Sequence, residues 1–179
     1  MRIIGGKLKG IQLNAPAKLP VRPTKDMAKE ALFNILHNTY DFEECSVLDL
    51  FSGTGSVSIE FASRGIKEVR TVDKHPGCVA WIKSVAEKYN LSEIDAQKAD
   101  AFKYLAQEHN RYDIIFADPP YDLPNIPLLP QLVAQNQLLK TNGVLIVEHP
   151  PLLKLEQQPG YSHTRKYGNS SFSFFDPVI

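Results

Sequence analysis

Four apolar runs in this chain lead to an aspartate at or near their ends: Val47-Leu48 to Asp49, Val69 through Val72 to Asp73, Ala96 through Ala99 to Asp100, and Ile114-Ile115-Phe116-Ala117 to Asp118. Between them lie stretches with helical character, among them Ser56 to Arg64 and Pro76 to Tyr89. Short buried strands alternating with helices demand a parallel sheet, because parallel strands need long crossovers and the crossover helices cover both faces. The alternation continues through a helix ending near Gln107, a strand Tyr112 to Ala117, a helix from about Pro127 to Leu139, a turn at Asn142-Gly143 and a strand Val144 to Glu148. The tail, Tyr161 to Phe175, alternates around Tyr167-Gly168-Asn169 and predicts an antiparallel hairpin closing the sheet edge. The expected fold is α/β and Rossmann-like, with seven strands, mostly parallel. Ligands in open sheets of this kind sit beyond the C-terminal strand ends. Asp49, Asp73, Asp100 and Asp118 are therefore expected in one site, although strand-end loops also favour aspartate for its turn geometry.

The first strand runs into Leu50-Phe51-Ser52-Gly53-Thr54-Gly55 and then a helix. Gly53 and Gly55 let a backbone approach a ligand with no side chain in the way. Asp73 stands eighteen residues beyond Gly55, at the tip of the second strand, where an acid meets ribose hydroxyls. That spacing suits a dinucleotide and an adenosyl cofactor alike. The dinucleotide fingerprint, however, wants a third glycine where Ser58 stands.

Asp118-Pro119-Pro120-Tyr121 describes a pocket for a planar amino group. The nitrogen of such a group is a poor nucleophile, because its lone pair is delocalised into a ring or carbonyl. Two acceptors aimed at its hydrogens favour a pyramidal nitrogen with a localised pair, and that help grows toward the transition state. Asp118 supplies one acceptor and the Pro119 carbonyl the other. Consecutive prolines stiffen the turn, and Tyr121 stacks on the flat system. Adenine, guanine, cytosine and a carboxamide all satisfy this geometry, and a Pro-rich turn at a strand end is the plain alternative. An amino-group acceptor beside an adenosyl site favours S-adenosylmethionine as the donor over a nicotinamide.

The chain has 179 residues, of which 43% are hydrophobic, enough for one core and too few for two ordinary domains. The expected division is a basic hairpin arm over residues 1–22 and a catalytic domain over 23–179. Cys45 and Cys78 lie 33 residues apart with no CxxC, and the histidines are scattered, so reduced thiols, no metal and a soluble cytoplasmic protein are expected. No apolar run reaches the roughly 20 residues of a membrane span. Net charge is zero but lopsided: seven basic residues up to position 29 face only Asp26, a net of +6 that the rest balances with −6. Arg2, Lys7, Lys9, Arg22, Lys25 and Lys29 are candidates for phosphate contact, with Thr24 capping a helix whose apolar stripe is Met27, Ala28, Ala31, Leu32, Ile35 and Leu36. Lysines serving solubility alone are the simpler alternative.

Nearly end to end, the sequence resembles the bacterial 16S ribosomal RNA guanine-N2 methyltransferase family known as RsmD. The resemblance is carried by Met1-Arg2-Ile3-Ile4-Gly5-Gly6, Arg22-Pro23-Thr24, Glu30-Ala31-Leu32-Phe33-Asn34, Leu48 to Gly55 and Asp118 to Tyr121. It implies a class I methyltransferase fold and S-adenosylmethionine as cofactor. Asp49, Phe51, Gly53, Thr54 and Gly55 would face the donor, Asp73 the ribose, and Asp100 with the Ala101 backbone the adenine. Asp118, Pro119, Pro120 and Tyr121 would be the catalytic set around a flipped guanine. The implied partner is 16S rRNA in the small subunit or an assembly intermediate, with ribosomal proteins. The family pattern carries arginines near positions 27 and 29, where Met27 and Lys29 stand. An adenine-N6 or glutamine-N5 methyltransferase, or a non-catalytic assembly factor, are the competing readings.

Overall fold

β1 (Ser46–Leu50) is buried at every position, as a strand covered on both faces must be. The computed structural model describes residues 1–21 and 25–179. Its single sheet has the order β3-β2-β1-β4-β5-β7-β6. β2 (Glu68–Asp73), β3 (Ile94–Lys98), β4 (Tyr112–Ala117) and β5 (Leu139–His149) run parallel to β1, and only β7 (Ser170–Phe175) runs antiparallel to β5, paired on its other side with β6 (Tyr161–Tyr167). Chain order reverses between β1 and β4. That is the switch point at which open sheets leave a crevice.

Alternation along the strands divides the core. Leu48, Leu50, Ile115, Ala117, Leu145 and Val147 pack toward α4 (Ala101–Gln107) and α5 (Leu128–Gln135), whereas Val47, Ile114, Phe116 and Ile146 pack toward α1 (Asp26–Thr39) and α2 (Ser56–Ser63). α3 (Pro76–Lys88) adds Val85 to a third cluster with Ile3, Leu13 and Ile59. All eight residues of α2 are buried, because the N-terminal segment covers the face turned away from the sheet.

The segment expected as a hairpin arm is a narrow loop with one antiparallel bridge, Arg2 to Gln12, and a 3₁₀ turn at Gly6–Leu8. It is docked: Glu60 on α2 accepts from the backbone N–H groups of Ile4 at 2.9 Å and Gly5 at 2.8 Å, and Ser63 Oγ donates to the Gly5 carbonyl. On α1 the buried stripe is Ala28, Lys29, Leu32, Phe33 and Leu36, and Met27, expected in the stripe, is 63% exposed. α5 stops four residues before the expected Leu139, because Gln137 turns left-handed (φ 52°) and releases the chain into β5. The Asn142-Gly143 turn lies inside β5 as an irregularity, where the pairing with β4 shifts between Tyr112 and Ile114. A side chain at Gly143 would meet the Lys140 carbonyl at 2.8 Å.

Candidate active site

The switch point brings the two motifs together. Leu50 pairs with Ala117, and the Asp118 N–H donates to the Leu50 carbonyl at 3.4 Å, so the glycine loop after β1 and the proline turn after β4 leave adjacent strand ends. A cavity of about 510 Å³ opens there, within the range of small-molecule sites. Its wall includes Asp49, Phe51, Ser52, Gly53, Thr54, Asp73, Ala99, Ala101, Asp118, Pro119 and Pro120. A larger groove of about 1010 Å³, lined by Tyr40, Arg111, Val144 and Phe174 among others, carries none of the four strand-end aspartates, so the smaller cavity is the candidate site.

The loop after β1 is held in an unusual backbone. Phe51 has φ 56°, costly for an aromatic residue, and its ring packs edge-on against Phe102 at 5.9 Å. Gly55 starts α2 at φ 78°, and a Cβ there would lie 2.7 Å from Ile82 Cγ1, which explains why only glycine fits. Both oxygens of Asp73 are engaged by backbone: Oδ2 accepts from the Gly53 N–H at 2.9 Å and Oδ1 from the His75 N–H at 2.8 Å. Asp73 therefore locks the loop to the tip of β2 and presents its remaining lone pairs to the cavity. Asp49 is 1% exposed and accepts from the Ser58 hydroxyl. Burial pushes its carboxyl up to about 7, against the Ser58 hydrogen bond and with a lesser push from Asp73. The Ser52 hydroxyl, on the cavity wall, is buried and has no hydrogen-bond partner among the described residues. An orphaned hydroxyl beside two glycines and an acid fits a polar ligand.

The remaining expected residues divide. Asp100 is turned to its own helix, its Oδ1 accepting from the Lys103 N–H at 3.0 Å as the cap of α4, while its neighbours Ala99 and Ala101 line the cavity. Tyr121 is not on the wall; its hydroxyl donates to Ser170 Oγ at 3.1 Å and lies 3.5 Å from Glu148 Oε1. Lys29, expected to face phosphate, is instead 1% exposed: Nζ donates to the Arg2 carbonyl at 2.8 Å and lies 3.4 Å from Glu60 Oε1. Burial pulls its ammonium below the ordinary value, with Glu60 pulling back. Lys7, Lys9 and Lys25 are exposed, and Arg2 pairs with Asp26 at 3.3 Å. Arg22 and Thr24 lie outside the described residues. The sequence reading missed Pro20, Val21, Lys74, His75 and Cys78 on the wall. His75 was findable: it follows Asp73 by two positions and caps α3, its Nδ1 accepting from the Gly77 N–H at 3.0 Å. Among the described residues no group of three or more His, Cys, Asp or Glu is placed to hold a metal ion, and no helix is long and apolar enough to cross a membrane.

The family described as conserved hypothetical protein 95 matches residues 1–176. Ribosomal RNA small subunit methyltransferase D of Haemophilus influenzae is 31% identical over 152 residues, 83% of this chain and 78% of that protein. The chain belongs to the RsmD family of methyltransferases. Among solved structures similar to this RsmD-family chain is a hypothetical protein of Thermus thermophilus, 27% identical, with TM-score 0.85 over 98% of this chain and 99% of that one. The 16S rRNA N2-guanine methyltransferase RsmC of T. thermophilus, solved with AdoMet and guanosine, shares the fold at TM-score 0.75 and 24% identity, over 99% of this chain and 49% of its own. The class I methyltransferase sheet expected from the sequence is thus the sheet observed.

Proposed function

We propose that this chain transfers a methyl group from S-adenosylmethionine to the exocyclic N2 of a guanine in 16S rRNA, within the small ribosomal subunit or an assembly intermediate that includes ribosomal proteins. The observation that carries the reading is the shared cavity: the glycine loop of β1 and the Asp118 turn of β4 bound one space across the switch point. Relatives named ribosomal RNA small subunit methyltransferase D, and a fold neighbour solved with both AdoMet and guanosine, support the substrate and the donor.

In this reading Gly53, Thr54 and Phe51 hold the donor's amino-acid end, Asp73 its ribose, and the backbone around Ala99 and Ala101 its adenine. S-adenosylmethionine, when bound, would supply a methyl group on a sulfonium whose S–CH3 bond breaks as the N–CH3 bond forms, leaving neutral S-adenosylhomocysteine. Asp118 and the Pro119 carbonyl accept the two amine hydrogens, localise the lone pair and aim it at the donor. Tyr121 stacks on the extruded base. The methylated nitrogen is acidic and loses its proton through Asp118 to water, so no strong base is needed. Residues 1–22 act as the RNA-facing segment of the domain formed by 23–179, with Lys7, Lys9 and Lys25 meeting phosphate.

Asp118→Ala tests the assignment. Methyl transfer should fall by about 10²–10³-fold, as for loss of a preorganised acceptor or donor at a transition state, while calorimetric titration with S-adenosylhomocysteine changes little. Turnover retained in this variant removes Asp118 from the mechanism, and binding of NADH but not S-adenosylhomocysteine overturns the donor.

A further inference from the structure

We infer that Glu148 accepts the N1–H of the acceptor base and so selects guanine, an inference that rests on the guanine-N2 reading above. β4 and β5 run parallel with Ala117 opposite Val147, which places the next residues, Asp118 and Glu148, side by side at the C-terminal edge of the sheet. Neighbouring strands are about 4.8 Å apart, a spacing that lets two carboxylates address adjacent donors on one flat edge. Glu148 is 3% exposed, and its Oε1 lies 3.5 Å from the hydroxyl of Tyr121 on the acceptor turn.

The Watson–Crick edge of guanine presents N1–H beside the N2 amine. Adenine presents an amine beside an N1 lone pair. Asp118 and the Pro119 carbonyl address the amine alone, and both bases have one. A base stacked on Tyr121 with its amine at Asp118 brings N1 toward β5, and the Glu148 carboxylate there accepts from guanine and repels the lone pair of adenine. The 3.5 Å contact with Tyr121 is at the outer limit of hydrogen bonding. An incoming N1–H replaces it while the Tyr121 hydroxyl keeps its bond to Ser170.

The test uses small subunits reconstituted around 16S RNA ligated to carry guanine or 2-aminopurine at the methylated position. 2-Aminopurine keeps the amine and lacks N1–H. The full-length enzyme should prefer guanine by about 100-fold or more in kcat/KM, as sites built around a hydrogen bond do. Glu148→Gln, whose amide can donate to the bare N1, should cut that ratio by about tenfold or more while binding S-adenosylhomocysteine as the parent does. Tyr121→Phe, which removes the hydroxyl contact and keeps the ring, should slow both substrates and keep the ratio. A ratio in Glu148→Gln equal to the parent's overturns the inference and leaves Glu148 as an anchor for Tyr121. Nucleoside analysis of the parent reaction separates the two layers: methyl found on a base other than guanine sinks the underlying reading, whatever the variants do.

Discussion

At the scale of single residues, the site combines groups that face a ligand with groups that hold those in place, and their pH behaviour separates them. Asp49 is 1% exposed, with its carboxyl raised to about 7. Between the ordinary carboxylate range and that value the folded chain keeps a proton that the unfolded chain has released, so this residue makes stability fall as pH rises through the window and then level off. Asp49→Asn, which keeps an acceptor for Ser58, removes that slope. Its stability relative to the parent should improve by about 2–3 kcal/mol between pH 5 and pH 8, measured by urea unfolding at both values; equal differences at the two pH values would show that Asp49 carries no such penalty. This acid was legible in the sequence because it sits in an apolar run before two glycines. Its neutralising environment was not, because Ser58 is nine positions away and meets it only when α2 folds back over β1.

Among elements, α2 was legible in its bounds, Ser56 to Arg64 expected against Ser56–Ser63 observed, but not in its complete burial. Its serines and Glu60 are interspersed with the apolar residues, and Glu60 is 0% exposed. It gathers the N–H groups of Ile4 and Gly5, Arg64 Nε at 2.8 Å and Lys29. A buried carboxylate with four partners ties the N-terminal segment to α1 and α2, which is why Lys29 is spent inside and unavailable to phosphate. Glu60→Ala strands two cations, and such losses cost about 3–5 kcal/mol. The variant should melt well below the parent, and hydrogen exchange should speed first at the Ile4 and Gly5 amides. Unchanged protection there would mean that apolar packing of Ile3 and Leu13 holds the segment alone. Periodicity located α1, but its buried stripe is rotated from the expected one, since Met27 gives way to Lys29 and Phe33. A pattern of apolar residues cannot announce that a lysine will turn inward to meet an acid thirty-one positions on.

For the whole molecule, the parallel direction and the terminal hairpin follow from alternation and turn chemistry, whereas the strand order is read only from the folded chain, and the cavity follows from its reversal between β1 and β4. Less legible was the basic segment, because its cations divide by partner: Lys29 and Arg2 are paired, whereas Lys9 and Lys25 are exposed. The log-log salt slope of RNA binding should therefore fall in magnitude by roughly 0.7–0.9 for each of Lys9 and Lys25 changed to Gln. Lys29→Met should leave the slope alone and disturb folding; a slope that moves with Lys29 and not with the other two would place the RNA elsewhere. In the proposed function one cavity performs one reaction. Its most direct test is transfer of labelled methyl from S-adenosylmethionine to small subunits and to naked 16S RNA from a strain lacking this protein, followed by nucleoside analysis. The expected product is N2-methylguanosine, and label in N6-methyladenosine or in a protein band would contradict the account.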